Sequence, residues 1–317
     1  MRSSEPRSGF VIPRRRTASS RRLTLGAALG LALAAGGCGS GHASSASSTP
    51  APAVSAPAPA VTTAASTTAT TTTTTTTSHR TAPRRIAHVA RPAGPLRGKV
   101  VVIDPGHNGG NAAAPDAINH MVPAGGFMKA CDTTGTATDA GYSEAEFNFD
   151  VALRVAAILR REGARVVLTR SSNDGIGPCV SERAAIGNRA HADAAISIHA
   201  DGAPASGQGF HVIEPALVAG YNDAIIAASA RLGGIVRDEM ATGSGLVPST
   251  YLGHDGIDVR GDLGGLNLSA VPKVFLESGN MRNPHDAGLQ TDPAWRERLA
   301  HVIAAALTLY VTGPARS

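Results

Sequence analysis

Five short apolar runs mark the chain beyond its first third: KVVVID (99–104), RVVLTR (165–170), AAISIHA (194–200), GFHVIE (209–214) and KVFLE (273–277). Each is nearly continuous in β-branched and aliphatic residues rather than alternating, the pattern of strands covered on both faces. Between the first two the period becomes helical. Phe147, Val151, Val155 and Ile158 recur at spacings of four, four and three, with Ser143 placed as N-cap, Glu146 completing a capping box and Gly163 as the stop. Further helical patterns cover 180–191, 219–241 and 293–311. Strands alternating with helices predict an α/β fold over 98–317: a single three-layer domain with a twisted, mainly parallel sheet and helices on both faces. Its site is expected beyond the carboxyl ends of the strands.

The first third reads differently. Five Arg (14, 15, 16, 21 and 22) precede LTLGAALGLALAA (23–35), an apolar run too short to span a bilayer but suited to the core of an export signal. Ser20-Arg21-Arg22 fits a twin-arginine signal, with the general secretory route as the alternative. LAAGGC ends in Cys38, a lipobox-like segment that makes Cys38 a candidate lipidation site; Ala32-Leu33-Ala34 offers an ordinary cleavage site instead. Residues 1–38 are therefore read as a signal peptide, and the mature protein as exported to the cell envelope, anchored to the membrane or secreted. Residues 39–97, rich in Ala, Ser, Thr and Pro with an eight-Thr run, hold too few large apolar side chains to offset the entropy of folding, and are read as a disordered linker.

Charge follows the same division. Of 317 residues with a formal net charge of +5, residues 1–97 carry twelve Arg against one Glu, which leaves 17 basic and 23 acidic residues for 98–317. An acidic domain argues against a nucleic-acid partner. Three Cys exclude a disulfide-dense scaffold, and no CxxC pair suggests a zinc ribbon. GxSxG, HExxH, P-loop and dinucleotide signatures are absent as well. What remains is three chemically competent residues at or just past strand ends: His107, His199 and Glu277.

VVIDPGHNGG (101–110), GYSEAEFNFDVALRVAAILRREGARVVLTR (141–170), SERAAIGNRAHADAAISIHAD (181–201) and KVFLESGNMRNPHD (273–286), in this order, closely resemble the zinc-dependent N-acetylmuramoyl-L-alanine amidases of bacterial cell walls. The resemblance implies one catalytic zinc and hydrolysis of the amide between the lactyl group of N-acetylmuramic acid and the L-Ala of the stem peptide, with peptidoglycan or muropeptides as substrate and a monomeric enzyme. It places the zinc ligands on His107, Glu144 and His199 and the general base on Glu277. Two imidazoles and a carboxylate leave a fourth position open on zinc, as catalytic sites require. Glu144 is preferred to Glu146 because the capping box uses Glu146 and leaves Glu144 free to point outward. The Gly-rich stretch 108–143 resembles an insertion found in an actinobacterial branch of the family, near the cleft. Asp104, Arg183 and Asn280 fall within matching blocks, either supporting the ligands or serving packing and turns. Export and the separate role of Cys38 point to a disulfide between Cys131 and Cys179. Two other readings stand beside the amidase: another zinc hydrolase of the wall, a carboxypeptidase or a deacetylase, and a non-catalytic peptidoglycan-binding regulator.

Overall fold

The computed structural model describes residues 94–314. The export segment, Cys38 and positions 39–93 of the expected linker lie outside the described residues. The domain begins earlier than residue 98. Leu96 is fully buried and its N–H donates to the Glu162 carbonyl, so the last four positions of the expected linker belong to the folded unit. One apolar residue in polar surroundings is too little pattern to mark that boundary.

The chain runs through β1 (Val100–Pro105), α1 (Pro115–Asn119), β2 (Met121–Pro123), β3 (Met128–Ala130), α2 (Glu144–Arg161), β4 (Arg165–Leu168), α3 (Val180–Ala190), β5 (Ala194–Asp201) and β6 (His211–Pro215). It continues through α4 (Ile226–Gly243), β7 (Ile257–Arg260), α5 (Gly264–Asn267), β8 (Lys273–Asn280), α6 (Pro284–Thr291) and α7 (Pro293–Thr312). The main sheet has the order β4-β1-β5-β8-β6-β7, and β2 and β3 form a separate antiparallel hairpin. Every pairing in the main sheet is parallel except β6 with β8. The sheet is therefore mixed and mostly parallel.

Period-two geometry divides β1 between two cores. Val101 and Ile103 join a large cluster under α2, α4 and α7, whereas Val102 faces a smaller one with Ala190, Ala195 and Val271 beside α3. The large cluster is held at its centre by Trp295, stacked on Phe147 at 6.4 Å with its indole N–H donated to the Ser244 carbonyl. Helix α2 starts where Ser143 accepts a hydrogen bond from the Glu146 N–H at 3.3 Å. That is one half of the expected capping box; the Glu146 side chain is exposed. Helix α4 begins at Ile226 rather than near 219, because Asn222 folds the preceding segment into a turn, accepting from Val218 N–H and donating to the Ala216 carbonyl.

Helix α7 offers a test of this layering. Ile303 is fully buried and Leu309 is 51% exposed. Ile303→Ala is expected to cost about 2–5 kcal/mol of unfolding free energy, and Leu309→Ala less than about 0.5 kcal/mol. Urea unfolding with unchanged m-values checks both.

Candidate metal centre

His107, Glu144 and His199 come from three separate elements, and the structure brings them together at the carboxyl end of the sheet. His107 follows β1, Glu144 is the first residue of α2, and His199 lies near the end of β5. Their donor atoms all stand within 4.8 Å of one another. Glu144 Oε1 is the hub, 3.2 Å from His107 Nε2 and 2.9 Å from His199 Nδ1. Glu144 does not point outward as the sequence reading expected; it is buried and turned into the cleft. Two backbone N–H groups, a side-chain amide and the imidazoles compensate that burial: Thr136 N–H donates to Oε2, and Ala200 N–H and Asn148 Nδ2 donate to Oε1.

Each imidazole is held from behind. His107 Nδ1 faces Asp132 Oδ1 at 3.3 Å and the Thr133 carbonyl at 3.1 Å, leaving Nε2 for a metal. His199 stacks on Phe275, with ring centroids 5.2 Å apart, and meets His107 edge-on at 4.9 Å. His107 adopts φ +57°, a left-handed conformation that costs a non-glycine residue energy and is kept only when its surroundings enforce it. Gly106 cannot be larger, since a Cβ there would stand inside the His199 ring. Gly135, at φ +74°, lets the loop pass close to Glu144.

Beneath the centre lies a buried charge network. Asp104 accepts from Thr169 Oγ1 and Ser197 Oγ and pairs with Arg183 and Lys273, both at 2.9 Å. Arg183 also pairs with Asp132 at 3.1 Å. Asp104 and Arg183 thus support the His107 turn. Asn280 instead braces a loop, donating to the carbonyls of Pro204 and Gly207. Asp132 and Thr133 went unrecognised in the sequence, because the contacts that give them a role span 25 and 26 residues and follow no local spacing; Asn148 was missed although its bond to Glu144 has the local i,i+4 spacing of a helix.

Glu277 lies on β8 in register with His199 on one side and His211 on the other, so three side chains form a row across β5, β8 and β6. Its Oε2 is buried without a hydrogen-bond partner, as are His211 Nδ1 and the Tyr251 hydroxyl nearby. His211 and Tyr251, packed edge-on at 5.9 Å, had no motif to announce them.

The charges of the metal-free protein diverge. Burial disfavours an imidazolium at His107, but the Glu144 carboxylate and Asp132 outweigh it and raise its pKa to about 10. Burial likewise opposes ionisation of Glu144, yet the two imidazoles hold it well below the ordinary carboxylate range. Glu277 goes the other way: burial, reinforced by Glu144 and Asp201, pushes it well above that range. An N₂O donor set this close, with one unpartnered carboxyl group beside it, fits a divalent cation with a neighbouring proton acceptor.

A cavity of about 280 Å³, bordered by Thr133–Thr136, Glu144, His199–Gly202 and Glu277, opens over the centre. A second, of about 150 Å³, is bordered by the same two imidazoles with Val180, Leu263 and Phe275. The sulfurs of Cys131 and Cys179 stand at bonding distance, 2.12 Å, joining the stretch after the β2–β3 hairpin to the start of α3. His120 lies 3.6 Å from Cys179 Sγ, but sulfurs bonded to each other are not free to ligate a metal. Among the described residues no helix is long and apolar enough to cross a membrane.

Residues 101–309 match the model of a family described as N-acetylmuramoyl-L-alanine amidase. The chain is 41% identical over 209 residues to the N-acetylmuramoyl-L-alanine amidase Rv3717 of Mycobacterium tuberculosis, covering 66% of this chain and 84% of that one. It also resembles two solved structures at 40% identity. The N-acetylmuramyl-L-alanine amidase Ami1 of Mycobacterium smegmatis has a TM-score of 0.65 over 69% of this chain and 99% of that one. The apo form of Ami1 from Mycobacterium abscessus has a TM-score of 0.64 over 68% and 99%.

Because a buried Glu277 is penalised when charged, its raised pKa contributes stability below about pH 4.3, the ordinary carboxylate value, and loses it as pH rises through the folded-state value. Metal-free Glu277→Gln is therefore expected to melt at a higher temperature than the parent at pH 7, and the gap should close near pH 4. Calorimetric scans at both pH values check the sign.

Proposed function

Because the chain belongs to the N-acetylmuramoyl-L-alanine amidase family, we propose that it hydrolyses the amide between the lactyl group of N-acetylmuramic acid and the L-Ala of the stem peptide, with His107, Glu144 and His199 holding zinc and Glu277 as general base. The observation that carries this reading is the pairing of a compact N₂O donor set with an adjacent carboxyl oxygen that has no other partner. Bound zinc supplies Lewis acidity, polarising the scissile carbonyl and making water a nucleophile near neutral pH.

The chain's own residues do the rest. Asp132 and the Thr133 carbonyl orient His107 so that Nε2 faces the site, and Phe275 fixes the plane of His199. Glu277 takes a proton from the attacking water on a carboxylate oxygen. It returns that proton to the departing L-Ala nitrogen as the C–N bond breaks, which leaves a lactyl carboxylate and a free amine. The raised pKa of Glu277 suits an acid–base role, since a bound cation would draw it down toward the working range.

As a cell-wall amidase the protein acts in the cell envelope. The export signal and lipidation of Cys38 would keep it on the outer side of the membrane, tethered through the Ala/Thr/Pro-rich segment. Cys38→Ala is then expected to move the protein from the membrane fraction to the soluble exported fraction, with an unchanged distribution counting against the anchor.

Incubation of zinc-loaded protein with wall fragments is expected to yield new L-Ala amino termini by mass spectrometry. Free terminal D-Ala, or released acetate, would instead indicate a carboxypeptidase or deacetylase. Glu277→Gln should retain zinc and bind muropeptide while losing on the order of a hundredfold in turnover. Because metal ligation needs a neutral imidazole and His107 is cationic in the metal-free state, zinc binding at pH 7 should release close to one proton from that group. Calorimetric titration in buffers of different ionisation enthalpy measures the release, and zinc affinity should rise with pH.

A further inference from the structure

The cleft over the metal centre does not end at Asp201. Thr136 and Gly202 border both the 280 Å³ cavity above the centre and a neighbouring cavity of about 490 Å³, whose other walls are Asp139, Ala203, Pro204, Ala205 and Arg282. The two adjoin where Thr136 and Gly202 pack against each other, a groove in two parts. Its joint is fixed to the centre itself, because the Thr136 N–H donates to Glu144 Oε2.

Along this groove the charged side chains are Glu144, Asp201, Glu277 and Asp139 on the acidic side, and Arg282 stands as its sole Arg or Lys. The Arg282 backbone is held rigidly. Its N–H donates to Asn280 Oδ1 at 3.0 Å, and the next residue, Asn283, caps α6 and donates to the Ala205 carbonyl on the facing wall. The guanidinium itself is half-exposed and touches only Asp139 Oδ1, at 3.1 Å, with Asp139 more exposed still. An ion pair this open to water is worth little, so exchanging Asp139 for a ligand carboxylate costs little. A guanidinium presents paired N–H donors that match a carboxylate in two parallel hydrogen bonds.

We propose that Arg282 is a specificity-determining residue that binds a carboxylate of the stem peptide beyond its first alanine. The inference rests on the amidase reading, with the scissile amide at the metal centre and the stem running toward this groove. Stem peptides carry acidic residues after that alanine, and Asp201 and Asp139, the acidic groups of the groove away from the ligand set, would repel such a chain without a cation beside them to receive it. Glu277 and Arg282 lie five residues apart, so the segment that supplies the base also supplies the reader of the leaving peptide.

The test compares N-acetylmuramoyl-L-Ala-D-Glu with its counterpart in which both Glu carboxyl groups are amides. Arg282→Ala is expected to raise KM for the acid roughly tenfold with little change in kcat, and to leave the diamide unaffected. Arg282→Lys should recover part of the loss, and Asp139→Asn, which removes the competing carboxylate, should lower KM for the acid alone. Binding of the product peptide L-Ala-D-Glu and of its diamide is measured by calorimetry alongside. Equal effects of Arg282→Ala on acid and diamide, or none on either, in hydrolysis or in binding, would overturn the assignment. Should neither substrate be hydrolysed while the acid peptide still binds through Arg282, the amidase reading fails and the carboxylate site stands.

Discussion

Everything at the metal centre depends on how the turn Pro105-Gly106-His107 is held. Two buried guanidiniums clamp its three successive carbonyls: Arg170 donates to Pro105 and Gly106, and Arg183 donates to Pro105 and His107. A buried carbonyl leaving a strand end without a partner costs about as much as a lost hydrogen bond, and besides these guanidinium groups the Gly106 carbonyl accepts from Asn148 Nδ2. The clamp satisfies the three carbonyls and holds His107 in its left-handed conformation. It also explains the charges below. Burial and the nearby Arg183 lower the Arg170 pKa to about 10, and Asp104 and Asp132 balance Arg183 and Lys273. Buried ion pairs of this kind add little net stability, but removing one member strands a charge, at about 3–5 kcal/mol. Their contribution is position rather than strength.

The same clamp ties remote parts of the chain to His107. Arg170 follows β4, Arg183 lies on α3, and Asp132 belongs to the stretch bridged to Cys179 just before α3. Sheet register supplies the rest, because pairing β5 with β8 sets His199 opposite Glu277. A one-residue slip in that ladder would turn Glu277 to the other face of the sheet. Burial of both faces of β5 and β8 guards against it.

The sequence revealed what short-range pattern can encode. Strands covered on both faces left unbroken apolar runs, and the amphipathic α2 announced itself through its period and through Ser143. The proposed ligand set came from strand ends, where α/β folds carry sites, and from the resemblance of DPGH, GYSE and SIHA to a known arrangement, and the fold brings those three side chains together. Elements with weaker patterns escaped. The edge strand β7 alternates Ile257 and Val259 with charged Asp258 and Arg260, and β2 and β3 are three residues each. Neither offers an apolar run long enough to stand out. Of the Arg–carboxylate clamp, Asp104 and Arg183 were singled out with a packing role left open, while Arg170 and Asp132 escaped: its members lie up to 79 residues apart, and nothing local distinguishes a buried Arg from a solvated one.

Four carboxylates near the candidate centre are pushed in opposite directions. Asp104, Asp132 and Glu144 are each buried, which alone would raise them, but cationic or hydrogen-bond partners drive them below the ordinary range. They are fixed charges. Glu277 has burial and two like charges against it, while cationic His107 and Arg260 only partly offset them. Its Oε2 has no protein donor. A carboxylate saturated with donors would be a poor proton acceptor, so leaving one oxygen unpartnered keeps Glu277 able to exchange protons at some cost in stability. Where environments separate the pKa values of neighbouring acids, the group held close to protonation is the one suited to acid–base chemistry, which accords with the role proposed for Glu277.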